Sequence, residues 1–389
     1  MGSHAAPSQH DPLRRIALVV IAPLAALTMV GLVWLWPAQI SPDGGAGGAA
    51  EHPGRVTAVQ HEACSEPASA EGCGTATVRL EDGRVLQDVE LSGAAGDMDV
   101  AVDDDVVVLG TQLPEGWAWA VVDHQRDRGL WVLGLAFALT LIAFGRWRGL
   151  TSLAGLAVTF LVLIVFVVPA ILGGEPPLLV ALVGSSAIML TVLYLTHGFS
   201  LTTTVAVIGT VLSFVLTGLL AAVAVRVLHL TGITDDDTMA VQLTHGIDMT
   251  GLLLAGIVIG SLGILDDVTV TQAVTVDELA RADPGARPRE VYAAATRIGR
   301  SHIASVVNTI VLAYAGASLP LFILVVADTS SFGSVLTSQF VAQEIARSIV
   351  ATLGLVAAVP ITTGLAALAL RHAAARPVDA AAAAQRTTR

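Results

Sequence analysis

Two adjacent aspartates, Asp266 and Asp267, interrupt an apolar stretch of the sequence that reads GSLGILDDVTVTQAV. If a membrane helix ended at Leu265, its apolar run from Gly251 would be about 22 Å long, shorter than the ~30 Å hydrocarbon core of a bilayer. A helix that continues to Val274 is about 36 Å long and can span with some tilt. The length therefore predicts both acids in the inner part of the membrane, where a carboxylate costs about 2.5–3.5 kcal/mol and normally faces protein or water.

Helical spacing separates the two acids. Asp267 shares one helix face with small and polar residues that lie three or four positions apart: Gly256, Gly260, Gly263 and Thr271. Asp266 lies about 100° around the helix from that face. The spacing predicts that Asp267, rather than Asp266, is the buried acid that faces a neighbouring helix.

The next predicted helix carries a polar face of its own. Its members recur at helical spacing: Arg297, Ser301, Ser305, Asn308 and Thr309. Because the two helices run antiparallel through one loop, Asp267 and Asn308 are expected at comparable depth. Desolvation favours the neutral form of a carboxyl group, and a nearby cation such as Arg297 or Arg300 favours the charged form. This cluster could take and release a proton, as relays in transporters do; the alternative is a hydrogen-bonded clamp between two helices.

Other polar residues predict simpler roles. Glu344 and Arg347, three positions apart near the start of the last helix, are expected to form a structural ion pair. An acidic stretch before Met249 contains Asp235, Asp236, Asp237, His245 and Asp248. This stretch could hold a hard cation, but a solvated loop that ends in an aspartate helix cap is the simpler interpretation.

The sequence contains no recognisable catalytic motif. We find no HExxH pair, no Walker A loop, no G-x-S-x-G elbow and no nucleophile with a nearby base. We therefore predict no catalytic residue, no metal site and no cofactor, and we do not expect an enzyme.

The composition indicates a membrane protein. Of the 389 residues, 54% are hydrophobic and 13% are charged, against about 25% charged in soluble domains; the mean hydropathy is +0.74. Long runs of Leu, Val, Ala and Ile recur from Gly129 to Leu370, as in polytopic helical membrane proteins. The chain has no lysine and its arginines lie near helix ends, so we expect a lipid bilayer and no nucleic acid as its partner.

About eight transmembrane helices are predicted by the ~20-residue criterion. The first is the run IALVVIAPLAALTMVGLVWLW after Arg14 and Arg15. We interpret it as an uncleaved anchor, because the run exceeds the roughly 7–15 apolar residues of a signal peptide and no clear cleavage site follows closely. The other seven are expected at residues 129–145, 150–172, 177–196, 200–225, 249–274, 302–327 and 346–370.

The arginines predict one orientation through the positive-inside rule. If the N-terminus is inside, the segment between the first two helices lies outside, and GRWRG, with Arg146 and Arg148, lies inside. The arginine-rich connector 275–301 and the C-terminal tail also fall inside. Both termini are therefore expected to be cytoplasmic.

Alternating apolar and polar residues from Arg55 to Val122 predict a small extracytoplasmic β-domain between helices 1 and 2. Asp82-Gly83 between two alternating runs predicts a hairpin turn, and several short strands in about 70 residues favour a β-barrel or sandwich, with an OB-like barrel as one form. Cys64 and Cys73 lie in one polar segment and predict a short disulfide loop. Two free thiols are the alternative, and zinc is less expected because no second cysteine pair exists.

These patterns together predict a mainly α polytopic membrane protein with five parts. Residues 1–37 are a cytoplasmic tail and the anchor, 38–54 a linker and 55–128 the β-domain. Residues 129–371 are a seven-helix membrane domain and 372–389 a cytoplasmic tail.

Three long motifs resemble the YibE/F-like bacterial membrane proteins. They read GSLGILDDVTVTQAVTVDELARADP, RIGRSHIASVVNTIVLAYAGASLPLFIL and QEIARSIVATLGLVAAVPITT. In this resemblance the helix acid of the family corresponds to Asp267, its Asn-Thr pair to Asn308 and Thr309, and its glutamate to Glu344. Asp266 departs from the pattern, which usually has an apolar residue there. The resemblance implies a bacterial cytoplasmic membrane protein, and the family brings no settled function.

A fainter similarity is to the SecF-type half of the RND superfamily, in which an external domain follows a first helix and a polar residue follows a Gly-rich stretch. It implies a half-unit that pairs with a second copy or a homologous subunit and moves in a proton-coupled way. The extra helices at 129–172 depart from that plan. Two hypotheses result: a proton-linked permease, with Ser305 and its neighbours around Asp267, or a membrane-anchored scaffold whose β-domain recruits an envelope partner.

Overall fold

A computed structural model of the chain describes residues 17–37, 50–61, 74–91, 100–113, 116–234, 236–320, 322–323 and 332–374. The chain divides into two compact units. One consists of Met1–Ile40 and Trp147–Arg389, and the other of Ser41–Arg146.

The smaller unit contains a closed five-stranded barrel. Its strands are β1 (Ala50–His61), β2 (Gly74–Leu80), β3 (Val85–Leu91), β4 (Asp105–Leu113) and β5 (Gly116–His124). The order around the barrel is β1-β2-β3-β5-β4; β3 and β5 pair in parallel and every other pair is antiparallel. The prediction of a small β-barrel is confirmed. β1 begins within the predicted linker 38–54, so that boundary was placed too late.

Alternation along the strands builds an apolar barrel core. Successive side chains of a strand point to opposite faces, and in β4 every second residue from Val106 to Gly110 is buried. The valines that fill the centre are Val56, Val78, Val89, Val106, Val108 and Val121, each 0% exposed. Among the described residues, this core contains no polar side chain.

The turn between β2 and β3 follows the predicted Asp82-Gly83 signal. Gly83 has a φ of +86°, which favours glycine because it has no Cβ atom. The Asp82 carboxylate accepts hydrogen bonds from the backbone N–H of Arg84 at 2.9 Å and from its Nε at 2.6 Å. The predicted Cys64–Cys73 loop lies outside the described residues.

The helices, numbered in chain order, make up the rest of the described chain. They are α1 (Ala22–Trp34, after a π-turn at Ala17–Ile21), α2 (Asp127–Gly145), α3 (Trp147–Leu172, with a π-turn at Leu163–Val167), α4 (Pro177–His197), α5 (Leu201–Val227), α6 (Asp236–His245), α7 (Met249–Ala282), α8 (Pro288–Ala317), α9 (Phe332–Thr337) and α10 (Gln339–Ala374). Helix α2 belongs to the smaller unit.

Local signals set several helix ends. Proline stands at the start of α4 and of α8. A backbone N–H at this position would have no acceptor within the helix, so proline, which lacks one, fits there. The Ser200 hydroxyl accepts a hydrogen bond from the Thr203 N–H at 3.0 Å and caps α5. Gly198, with a φ of +74°, ends α4.

Among the described residues, six helices are long and apolar enough to cross a membrane: α2, α3, α4, α5, α7 and α10. The chain is therefore a multi-pass helical membrane protein by length and composition, but the predicted count of eight is not confirmed. The anchor is a shorter apolar helix, Val19–Trp34. The helix predicted at 302–327 begins at Pro288, because the arginine-rich connector 275–301 is itself mostly helical.

Three helices form the centre of the larger unit. Helices α5, α7 and α10 pack against one another, and α4 packs on α7. Leu265 and Val268 of α7 and Leu355 of α10 lie in this core with 1% exposure or less. The core therefore fixes which face of α7 points inwards.

Candidate functional site

Asp266 lies on the inward face of α7. Its helical neighbours on that face, Leu262 and Thr269, are 5% and 0% exposed. The carboxyl group lies against the Thr210 hydroxyl of α5. Its Oδ1 atom is buried and has no hydrogen-bond partner among the described residues. A carboxyl group is thus enclosed between two apolar helices.

Asp267 lies about 100° around α7 from Asp266, on the exposed side of the helix. Its side chain is 69% exposed, and its Oδ2 atom is 3.9 Å from Nε2 of His302 on α8. The prediction that Asp267 is the buried acid and Asp266 the other is therefore wrong. The stripe of small residues that includes Gly256 and Gly263 also faces outwards, and nothing lies within 4 Å of where a Cβ would stand at either glycine.

Buried polar residues, of which Thr210 and Thr269 lie beside Asp266, follow the contacts among the three central helices. We call them the polar seam; all are 0% exposed, and they are Thr210, Ser213 and Thr217 of α5, Thr269 and Gln272 of α7, and Thr362 and Thr363 of α10. The Thr210 and Thr269 hydroxyls are 2.6 Å apart and hydrogen bonded. The Thr363 hydroxyl donates to Oε1 of Gln272 at 2.9 Å.

Glycines let these helices approach closely. The Thr362 hydroxyl lies against Gly209, and the Thr217 hydroxyl lies against Gly354. A Cβ at either glycine would collide with the facing threonine. Close backbone approach and polar contacts are the means by which helices associate in lipid.

Several polar atoms of the seam lack partners. Oγ of Ser213, Nε2 of Gln272 and Oγ1 of Thr362 are buried without a hydrogen bond to any described residue. A buried polar group without a hydrogen bond lowers the free energy of unfolding by about 1–3 kcal/mol. Together with Oδ1 of Asp266, they place four buried polar atoms without a hydrogen bond in α5, α7 and α10.

The predicted polar face of α8 is present but does not enclose Asp267. Ser305, Asn308 and Thr309 are exposed, and the Thr309 hydroxyl donates to the carbonyl of Ser305 at 3.2 Å. Arg297 and Arg300 are exposed and form no ion pair within the described chain. The predicted relay of these residues around Asp267 is therefore not assembled within one chain.

Two further predicted features can be located. Nη1 of Arg347 is 3.0 Å from Oε1 of Glu344, and both side chains are more than two-thirds buried. In the acidic stretch, Asp248 occupies the N-cap position of α7 without a side-chain cap bond, while Asp235 lies outside the described residues. No group of three acidic, histidine or cysteine residues that could hold a metal occurs in the described ranges.

The barrel carries its charges on the surface. Nε of Arg55 donates to Oδ1 of Asp105 at 2.7 Å, and this bond lowers the pKa of Asp105 below its ordinary value. Arg126 likewise lowers the pKa of Asp123. These pairs stabilise the charged forms and leave no acid poised near neutral pH in this group.

The polar seam was missed by the sequence analysis. A usable signal was present in α5, whose sequence TTTVAVIGTVLSFVLTG places Thr210, Ser213 and Thr217 three and four positions apart. This spacing defines one polar face that needs a polar partner inside a membrane. Asp266, Thr269 and Gln272 supply one at matching helical spacing.

Comparison with known proteins identifies the architecture more than the activity. No curated protein and no solved structure matches the chain significantly. The YibE/F-like protein family matches residues 133–372, which are more than half of the 389 residues. The match includes α3 to α9, α10 as far as residue 372, the buried carboxyl group of Asp266 and the whole polar seam. The chain belongs to the YibE/F-like protein family.

Proposed function

We propose that this protein is a proton-linked membrane permease in which Asp266 is the protonatable group. The observation that carries this proposal is the buried, unbonded Oδ1 of Asp266 beside the Thr210 hydroxyl. Acids within membrane helices are rare and typically mark ion or proton pathways. The sequence favoured Asp267 for this role, but the geometry supports its neighbour better.

The surroundings of Asp266 support proton exchange. Thr210 and Thr269 both reach the region of the carboxyl group, and each hydroxyl can donate or accept a hydrogen bond. A charged carboxylate can accept from a hydroxyl, and a protonated one can donate to it. The site can therefore accommodate both protonation states without rebuilding its helices.

The proposal includes the predicted topology. Counting the anchor and α8 with the six long apolar helices gives eight crossings, with both termini in the cytoplasm of a bacterium and the barrel outside. In this arrangement α8 crosses although it is amphipathic, and its polar face needs a protein neighbour. In this proposal the proton is the coupling ion.

Proton flux into proteoliposomes tests the proposal. The purified full-length chain is reconstituted with a pH-sensitive dye inside, and a pH gradient is imposed. We expect wild type and Asp267→Asn to carry protons and Asp266→Asn to lose the flux, because asparagine keeps the size of the side chain and cannot ionise. The adjacent Asp267→Asn variant is the matched control.

Two outcomes contradict the proposal. Loss of flux only in Asp267→Asn would return the role to the exposed acid. Background flux in all three proteins, each shown to be folded, would favour a non-transporting scaffold.

A second candidate function, the scaffold, has its own observation on the barrel. Trp117 is 52% exposed, and its ring stacks on Trp119 at 5.7 Å, which in turn lies 5.5 Å from the ring of His52. Exposed aromatic residues are frequent anchors of protein interfaces. In this alternative the barrel recruits an envelope partner, and Trp117→Ala would abolish that recruitment without changing the helices.

A further inference from the structure

Helix α8 exposes a polar face in the part of the chain that resembles a membrane bundle. We call it the α8 polar face; its exposed members are Arg297, Arg300, Ser301, Ser305, Asn308 and Thr309. It lies beside the exposed carboxylate of Asp267, through the contact between Asp267 and His302. The other long helices expose leucine, valine and phenylalanine to their surroundings.

Depth separates this face from an ordinary solvated surface. Asp267 is 18 residues, or about 27 Å, from the Met249 end of α7. Because α8 runs antiparallel and His302 is level with Asp267, Asn308 lies about 9 Å closer to that end. Tyr314, whose hydroxyl lies beside Gly260, agrees with this register. Asn308 is therefore about 18 Å from one end of a ~30 Å hydrocarbon layer, near its middle.

An exposed amide at that depth cannot remain against lipid without cost. Lipid tails offer no hydrogen bonds, so each unsatisfied polar group in the hydrocarbon region costs several kcal/mol. The apolar helix α2 does not supply hydrogen-bond partners for this face. Its one hydroxyl, on Thr140, already donates to the Ala136 carbonyl at 2.7 Å. The α8 polar face needs a polar protein surface opposite it.

We propose that a second copy of this chain covers the α8 polar face, with a twofold axis along the membrane normal. An asparagine amide both donates and accepts, so Asn308 can hydrogen bond to Asn308 of the partner subunit. Groups of opposite charge also lie on this surface, Asp267 on α7 and two arginines on α8, and off the twofold axis a group of one copy meets a different group of the other, so the contact can pair Asp267 with the partner's arginines. The open stripe of Gly256 and Gly263 permits close approach of the helices.

This inference is independent of the proton chemistry assigned to Asp266. A dimer without proton flux would leave the interface intact and remove the proposed function. A monomer that carries protons would exclude the interface and leave the proposed function intact. The two ideas therefore fail in different experiments.

Cysteine cross-linking in native membranes tests the interface. Ser305→Cys is compared with Val215→Cys in the full chain with Cys64 and Cys73 replaced by serine. Val215 is 54% exposed on α5, and the Thr210–Thr269 contact places it at about the depth of Ser305. We expect oxidation to give disulfide-linked dimers of Ser305→Cys and none of Val215→Cys. Equal yields, or no dimer from Ser305→Cys, would overturn the proposal.

A second measurement follows dimerisation directly. Asn308→Leu is reconstituted in lipid bilayers at a range of protein-to-lipid ratios, and the dimer fraction is followed by energy transfer between labelled copies. Loss of an interhelical hydrogen bond is expected to weaken dimerisation about 3- to 20-fold. If Asn308 faces lipid instead, leucine leaves the dimer fraction unchanged, and that result would also overturn the proposal. Leu219→Ala on α5 is the control that should behave as wild type.

Discussion

The two units of this protein place their polar residues in opposite ways. The barrel has a core of valines that are 0% exposed and carries its charged pairs on the surface. The helical unit exposes leucine, valine and phenylalanine, and the polar seam at its centre is 0% exposed. The barrel is apolar inside and carries its charges outside, whereas the larger unit is apolar outside and includes buried polar residues among the apolar ones at its centre.

The difference follows from the solvent that each surface is suited to. In water, burial of apolar area drives folding, so a small barrel needs every central position to be apolar. In a bilayer the surroundings are as apolar as leucine, and helices associate through close packing and polar contacts instead. A polar centre therefore serves the helical unit and would destroy the barrel.

The largest expected effect comes from a carboxylate placed in the barrel core. Val106 is 0% exposed, and Val106→Asp would bury a charge without a partner, which costs several kcal/mol and is comparable to the whole stability of a small domain. We expect limited proteolysis of the full-length protein to cut within the strands while the helices stay protected. Val85→Asp is the control, because Val85 is 51% exposed on β3 and should leave the barrel resistant. A resistant Val106→Asp barrel would contradict the contrast between the two cores.

An intermediate effect is expected from the polar seam. Thr363→Val keeps the side-chain shape but removes the donor to Oε1 of Gln272, leaving a buried amide with neither end bonded. We expect a loss of about 1–3 kcal/mol in unfolding free energy, measured by thermal unfolding in lipid nanodiscs.

The double variant sharpens this test. Gln272→Met combined with Thr363→Val replaces both partners by apolar groups, which is nearly neutral for stability. We therefore expect it to recover most of the loss. Thr140→Val on α2, whose hydroxyl bonds only to its own helix, should be near wild type. If the double variant is worse than Thr363→Val alone, hydrogen bonding is not what the seam contributes.

The sequence predicts which segments form helices and strands better than it predicts how a helix is rotated about its own axis. Hydropathy and length place α2 to α5 within three residues, since those signals depend only on the segment itself. They also find α7 and α10, but α7 ends eight residues later and α10 begins seven residues earlier than predicted. Strand alternation and the Asp82-Gly83 turn identify the barrel for the same reason. The starts of β1 and α8 were predicted too late, because segments rich in Gly, Pro or Arg lie at these boundaries. Pairing with β4 extends β1, and packing on α10 extends α8.

The reversal of Asp266 and Asp267 has a physical cause. In a soluble helix the apolar face marks the core, but in a membrane helix the core and the lipid are both apolar, so the pattern no longer tells inside from outside. The stripe of small residues near Asp267 could pack inside the chain or against another chain. Packing against α5, α10 and α4 fixes the rotation of α7, and the Thr210–Thr269 hydrogen bond marks its depth against α5.

The smallest expected effect lies on the surface of the barrel and depends on pH. The Arg55 guanidinium holds the pKa of Asp105 below its ordinary value of 3.8. The folded state therefore binds this proton less readily than the unfolded state, so the stabilisation is fully present above the ordinary pKa and is lost as the pH falls through the folded one. Asp105 is 24% and Arg55 47% exposed in its side chain, so we expect no more than about 1 kcal/mol, reduced further by salt.

The measurement is the difference between two pH titrations of barrel unfolding. Asp82 and Asp123 also have lowered pKa values, so wild-type stability should decline in acid even without Asp105. Asp105→Asn should be less stable than wild type near neutral pH, and the gap should begin to narrow near pH 4 and close as the pH falls through the lowered pKa of Asp105. Glu90→Gln, an exposed carboxylate on β3 outside the described ion pairs, should follow the wild-type curve. A gap that persists in acid would show that Asp105 stabilises the barrel through packing and not through its charge. That result would contradict the contrast between a barrel surface stabilised by charge and a core stabilised by apolar packing.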